Sequence, residues 1–599
     1  MTRNAASGAR NRLLLTIGLL VLAGPAILAA LTGSTYVGNG TDLVSYQYPM
    51  RRFVIDLLQR GELPLWNPHV LGGVPVLAGW QLGVLYPPNL LLLWAAPETS
   101  LSWLQTGHLL WLGLGAVALA NAVTNRPLMR WGWAPAAAAA LVMGCGPTWG
   151  HLYAGHVSFH QAWSWSPWIC AWTLHALVRS DKRSCLLAMA ALCMQLLAGH
   201  PQVSYLTCAA LAALVLAVTV RRTPQLPVDG DASTEQPSQR ALKAVLVLAL
   251  VVVGGCALAA IQLLPSWQLR PLLNRELADP NTLALAFSAP AQSLWTVATP
   301  WMFGGPQWRL GAFSYHETVA YIGAAGLVLV CIEALRPRRQ SLVLLAAMAV
   351  FLLLSAGSDG LLLEHLLEWV PGISSFRVPS RWLIAFTLVA AALVAMAVQR
   401  WTGMPGFAHL PAHLGARRGA STGRALLLLG LAIAMAAIAS SCHPEQGWWP
   451  QWLEPRRSPS EATLTTVAHR VRWGLFGLAG FFAAAAFAIR LPSWRRPVAR
   501  LLVVALSFEA LTFAALHLEE RSHRPAPTLD WHDRTVKTLK SSLGRHGRLV
   551  TSPRSRQANW GGAHDVRRCR RRRHRCVAAV VAAAAAAVVV VVIAVVVYL

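Results

Sequence analysis

Long apolar runs, each ended by a short polar or basic stretch, set the pattern of this chain. The first runs from Leu13 to Leu31 and follows Arg3, Arg10 and Arg12. Others cover Leu101–Val123, the stretch ending near Cys145, Ala162–Val178, the stretch ending near Ala198, and the one reaching Arg221 and Arg222. Beyond them come Ala244–Leu264, the run closed by Arg336–Arg339, the run ending near Ser355, and the run from Arg381 to Arg400. Ala425–Ser440, Trp473–Ile489 and Leu501–Leu516 complete the series. Each approaches the length of about 20 residues at which a helix crosses a bilayer, so the pattern predicts an all-α polytopic membrane protein of about 13 transmembrane helices.

Alternate loops carry Lys or Arg, as loops held on the cytoplasmic side do. The N-terminus is then inside, and the loops rich in Trp, Gly and Pro lie outside. Composition agrees: 55% of residues are hydrophobic and 13% charged, with a mean hydropathy of +0.47. The net charge of +27 sits mostly in clusters between apolar runs, so it reads as a topology signal and excludes a nucleic-acid binder. The ten Cys are scattered without a CxxC pair, so neither a zinc knuckle nor a disulfide framework is expected. No convincing small-residue cleavage site precedes Gly33, and the first run reads as an uncleaved signal anchor.

The tail breaks the pattern. Arginines between Arg567 and Arg575 precede an Ala/Val run from Val577 to Leu599, an orientation that the charge rule disfavours. Residues 566–599 therefore read either as a frame-shifted end or as an unusual anchor.

The longest polar interruption among the early runs is the first outer loop, residues 32–100. Met50–Gln59, "MRRFVIDLLQ", fits an interfacial helix too short to span. "LPLWNPHVLGGVP" holds three Pro and two adjacent Gly, and cannot continue it. Non-helical backbone at membrane level is tolerated where it is covered by protein or lines a cavity, so this passage is expected to wall an outward-facing pocket.

The blocks "TDLVSYQYP", "GELPLWNPHVLGGVPVLAGWQ", "LYPPN", "GHVSFHQAWSWSPW", "GHPQVSY", "ETVAYIG" and "FRVPSR" occur in that order between these runs. The set resembles the YfhO-type bacterial membrane proteins, within the GT-C superfold of integral-membrane glycosyltransferases, over roughly residues 13 to 560. The resemblance implies a GT-C-like membrane domain over 1–518 and the start of an outer C-terminal segment over 519–565. It also implies transfer of a sugar from a polyprenyl-phosphate carrier to an envelope glycan, lipid or protein on the outer face. An acid in the first outer loop is the usual base of the superfold, which here points to Asp42. A carboxylate so placed takes the proton of the acceptor hydroxyl as it attacks the anomeric carbon, with inversion.

Around that acid, Tyr46 and Gln47 either contact the sugar or anchor the helix end. Trp66 and Asn67 suit a sugar contact or a packed turn equally. His156 and His160, four apart, are expected on one helix face, where they orient a phosphate or sugar hydroxyl or simply sit at the interface. Their metal-pair spacing leaves a divalent metal open, but with no evident third ligand neither a metal nor another cofactor is indicated. His200 and Gln202 head the next run and are expected to face the same cavity as substrate contacts. Glu317 is a second acid. Arg377 and Arg381, on the disfavoured side for positive charge, either hold the departing phosphate or pair with Glu317, Glu364 or Glu368. A transporter or flippase of lipid-linked glycans, and a non-catalytic envelope scaffold, are the competing functions.

Overall fold

The computed structural model describes residues 2–519 except 33–41, 94–96, 221–235, 273–283, 306–309, 312–313, 336, 361, 404–414, 445–447, 452 and 454–458. The expected outer segment at 519–565 and the 566–599 tail lie, apart from Glu519, outside the described residues. Within these limits the chain is helical, with one two-residue hairpin in the first long loop.

Every apolar run forms a helix, but not every helix is long enough to cross a bilayer. Seven described helices are, and an eighth joins them if Ala9–Leu22 and Gly24–Leu31, bent by 64° at Ala23, count as one span. The other five runs make helices of 12, 14, 16, 11 and 17 residues: Trp133–Gly144, Ser166–Arg179, Lys182–Leu197, Ala324–Ala334 and Arg339–Ser355. At about 1.5 Å per residue these fall short of a hydrocarbon core about 30 Å thick. Of the about 13 expected spans, the described residues thus show seven or eight helices long and apolar enough to cross a membrane, with shorter apolar helices between them.

Several short helices stop at breaks in the backbone. Trp133–Gly144 ends where Cys145 turns extended, and Gly146–Pro147 starts a new helix to Ala154. Tyr315–Thr318 is a single turn, and the chain then runs non-helical to Gly323, whose φ of +83° opens Ala324–Ala334. The two breaks meet: the Gly146 amide donates to the Tyr321 carbonyl at 2.8 Å. A Cβ on Gly146 would lie 2.2 Å from the Val319 carbonyl oxygen, so the approach needs glycine. Val319, Ala320, Tyr321 and Ile322 are all buried, which is the condition for irregular backbone at such a depth.

Leu383–Thr402 is the hub. Almost every side chain on it is buried, and it packs against Trp133–Gly144, Pro201–Thr219, Ala324–Ala334, Arg339–Ser355 and Arg495–Glu519. A helix apolar all round belongs in such a position. Peripheral helices instead expose an apolar stripe: Leu242, Leu246, Leu250 and Val253 on Pro237–Leu258, and Leu426, Leu429 and Ile433 on Gly415–Ser440. Exposed apolar stripes at helical spacing face lipid. This is a multi-pass membrane protein.

The basic loops collect at one end. Asn11 bonds the Met129 carbonyl and the Trp131 amide. Lys243 donates to Ser180, and Arg490 to Thr422. Val123, Thr124, Arg338 and Arg400 line one hollow of about 250 Å³. The first long loop and the groups described next occupy the opposite end. There the short helix Tyr48–Gln59 forms as expected, with Met50, Val54 and Ile55 inward. Its Arg51 is buried, donates to Gln47 and abuts a hollow of about 20 Å³, walled by Val54, Leu82, Gly83 and Asn89. That volume admits little more than one water.

Candidate functional site

Five segments distant in sequence meet beside Phe159. Gly146–Ala154 brings His151. Gly155, in the left-handed conformation at φ +81°, turns the chain back so that His156 faces His151 across a gap of 2.8 Å between their Nδ1 atoms. The single turn Tyr315–Thr318 brings Glu317, fixed against Gly146–Ala154 by the paired breaks. The short turn Pro379–Trp382 brings Arg381, and the start of Pro201–Thr219 brings His200 and Gln202. Asp42 stands at the head of the helical stretch Leu43–Gln47.

These side chains form one continuous chain of contacts. Asp42 Oδ2 lies 3.4 Å from His156 Nε2, with the Asp42 side chain 65% exposed and that of His156 15% exposed. His151 Nε2 lies 3.6 Å from Glu317 Oε2, both side chains nearly fully buried. Arg381 donates to both Glu317 oxygens, Nη2 at 2.7 Å and Nε at 3.1 Å. Its Nη1 reaches Gln202 Oε1 at 2.9 Å and His200 at 3.3 Å. Phe159 is the apolar wedge among them: its ring centroid is 3.6 Å from that of His151 and 5.2 Å from that of His200, with the Arg381 guanidinium 5.7 Å away.

The electrostatics follow from these contacts. The hydrogen bond from His156 holds the Asp42 carboxyl below its usual range against the opposing pull of burial, with the charges of His156, His316 and Arg377 adding to it. Burial alone would push the Glu317 carboxyl up; Arg381 and then His151 overcome it and hold it well below. Burial pushes His151 and His200 far down, and Arg381 adds to that in both. The chain therefore runs from an exposed carboxylate through two imidazoles to a buried ion pair.

Of the residues singled out in the sequence, Asp42, His156, His200, Gln202, Glu317 and Arg381 come together. Arg377 stands beside them with an exposed side chain, its carbonyl accepting from Gln202 at 2.7 Å. Between the two arginines Val378 holds φ +69°, a conformation that costs a β-branched residue about 1–3 kcal/mol. The amide of Gln202 and the Ala286 carbonyl hold it there. Glu364 and Glu368 are exposed, and Arg381 takes Glu317 as its partner.

The remaining candidates stand apart. His156 and His160 do not share a helix face: His156 is the residue before the helix Val157–Trp163, and His160 points into the bundle, where its Nδ1 contacts Gln105 at 2.7 Å. Gln47 is buried as the acceptor for Arg51. Tyr46 packs in the apolar cluster of Met50, Val54 and Leu82. Trp66 and Asn67 form the hairpin with Val74 and Pro75. Asn67 is buried and accepts from the His69 amide at 2.9 Å. Trp66 is exposed, lying over Gly73. Hence the wall of the small hollow in this loop comes from Leu82–Asn89 and not from Trp66–Asn67.

His151 was not anticipated. Its signal was present as "HLYAGH": a glycine ending a helix turns residues five apart toward each other. The donor atoms of His151, His156 and Glu317 all lie within 4.8 Å of one another. No family model, curated protein or solved structure matches this chain. Its own residues establish a multi-pass membrane protein with a His–Glu–Arg network at the end of the bundle opposite its basic loops.

Proposed function

We propose that this chain is a multi-pass protein of the bacterial inner membrane, with the basic loops cytoplasmic, and that it transfers a sugar from a polyprenyl-phosphate carrier to an envelope acceptor on the outer face. The resemblance to YfhO-type proteins and the GT-C superfold supplies the reaction. The observation that carries it is the single network joining Asp42, His156, Glu317, Arg381, His200 and Gln202, residues drawn from five of the motif blocks.

In this reading Asp42 is the base. Its exposure gives an acceptor hydroxyl access, and its hydrogen bond to His156 aims it. The hydroxyl oxygen bonds to the anomeric carbon while its proton passes to Asp42, and the bond from that carbon to the carrier phosphate oxygen breaks. The product is inverted, and polyprenyl phosphate departs as the anion. Arg381 is committed to Glu317, so Arg377 is the arginine that meets the leaving phosphate.

A second reading has support of its own. Paired breaks such as Cys145–Gly146 and Val319–Gly323 also occur in transporters. One experiment separates the two. Purified protein in liposomes is given a labelled polyprenyl-phosphate hexose and envelope acceptors. A transferase consumes the donor and releases polyprenyl phosphate; a transporter moves the donor between leaflets intact. A scaffold does neither, and that outcome overturns the proposal.

A further inference from the structure

We infer that His151, His156 and Glu317 form a binding site for a divalent transition cation of the Zn²⁺ class, with a fourth coordination position left open. The inference does not depend on the transferase reading.

The geometry is that of a ligand set before its ion. Two ligands bound to one ion at about 2.0–2.2 Å sit about 3.4 Å apart in a tetrahedral arrangement. His151 Nε2 and Glu317 Oε2 are 3.6 Å apart, so they close on an ion with almost no movement. His156, whose Nε2 faces Asp42, offers Nδ1 as the third donor. To bind the ion it exchanges its 2.8 Å contact with His151 Nδ1 for the metal, a short move, since one ligand atom from each of the three residues lies within 4.8 Å of the others. Two imidazoles and one carboxylate suit zinc; calcium, magnesium and manganese prefer sites built of oxygen.

The surroundings supply what such a site needs. Arg381 bonds both Glu317 oxygens and fixes the carboxylate, yet each oxygen keeps a second lone pair for an ion. Asp42 Oδ2 stands 3.4 Å from His156 Nε2 and orients that ring, the carboxylate–histidine arrangement usual behind metal ligands. His151 and Glu317 are buried, whereas the Asp42 side is exposed. Three protein ligands with one wet side describe a site that takes water or a phosphate oxygen as its fourth ligand, unlike a closed structural site.

The test uses the full-length protein in detergent, stripped with a chelator, dialysed and titrated with Co²⁺ and, separately, Zn²⁺. The expected result is about one high-affinity ion per chain, with the visible absorption of tetrahedral Co²⁺. His151→Ala and His156→Ala lose that ion, while a change at the exposed His443 keeps it. Because an alanine at the buried His151 can impair folding, His156→Cys serves as the second variant: it retains Co²⁺ and adds a thiolate charge-transfer band. A folded wild-type protein that binds no ion, or a His156→Ala protein that binds it undiminished, overturns the site. Neither readout involves sugar transfer, so failure here leaves the transferase reading standing.

Discussion

Glu317 and Arg381 are joined through both carboxylate oxygens, at 2.7 and 3.1 Å, though 64 residues separate them in sequence. The pair lies where the single turn Tyr315–Thr318 meets the entry to the central helix Leu383–Thr402. It fixes the position of the His151 ring on one side and of His200 on the other.

Removing one partner leaves the other charged and buried. Arg381→Met or Glu317→Leu alone is expected to destabilise the protein by about 3–5 kcal/mol, while the double replacement recovers much of the loss. A double-mutant cycle by thermal unfolding in detergent measures it. Independent, additive losses would show that the pair does not hold this end of the bundle.

Gly146→Ala places a methyl group against the Val319 carbonyl oxygen, a backbone atom that cannot swing away. A loss of about 1–3 kcal/mol or more is expected, as for overpacked cores. The same change at Gly430, on an exposed helix face with nothing within 4 Å, leaves stability unchanged or slightly raised. Equal unfolding temperatures for the two variants would contradict the paired-break description.

Asn67 is predicted to serve its own turn. Asn67→Ala should cost about 1 kcal/mol, the worth of a typical hydrogen bond, and leave transfer within about twofold of wild type, since that bond lies outside the chemistry. Trp66→Ala should leave both nearly unchanged. A large fall in transfer with stability intact would return these residues to the sugar site.

Much of this arrangement was legible in advance, for physical reasons. Hydropathy marks where helices begin and end, so each apolar run became a helix. It does not mark where a helix breaks once the break is buried by other protein, so Val319–Gly323 reads in the sequence as part of a full span, while Cys145 reads as the end of one. Positive charge on the disfavoured side marks Arg381, and charge at membrane depth marks Glu317, because a buried charge needs a partner. His151 escaped because its pairing with His156 depends on the backbone reversal at Gly155 and not on helical spacing. That same spacing suggested His160, whose ring instead meets Gln105 on another helix. Asn67 and Gln47 looked like ligand contacts because polar residues in a loop offer no sequence sign of an internal partner.

The most direct measurement is the transfer rate of Asp42→Asn, compared with wild type in liposomes carrying a polyprenyl-phosphate hexose. Asparagine keeps the size of the side chain and cannot take a proton. The account predicts a fall of about 10²–10⁴-fold, the usual worth of a positioned base, with unfolding temperature unchanged because the residue is largely exposed. An Asp42→Asn protein that transfers at the wild-type rate would contradict it.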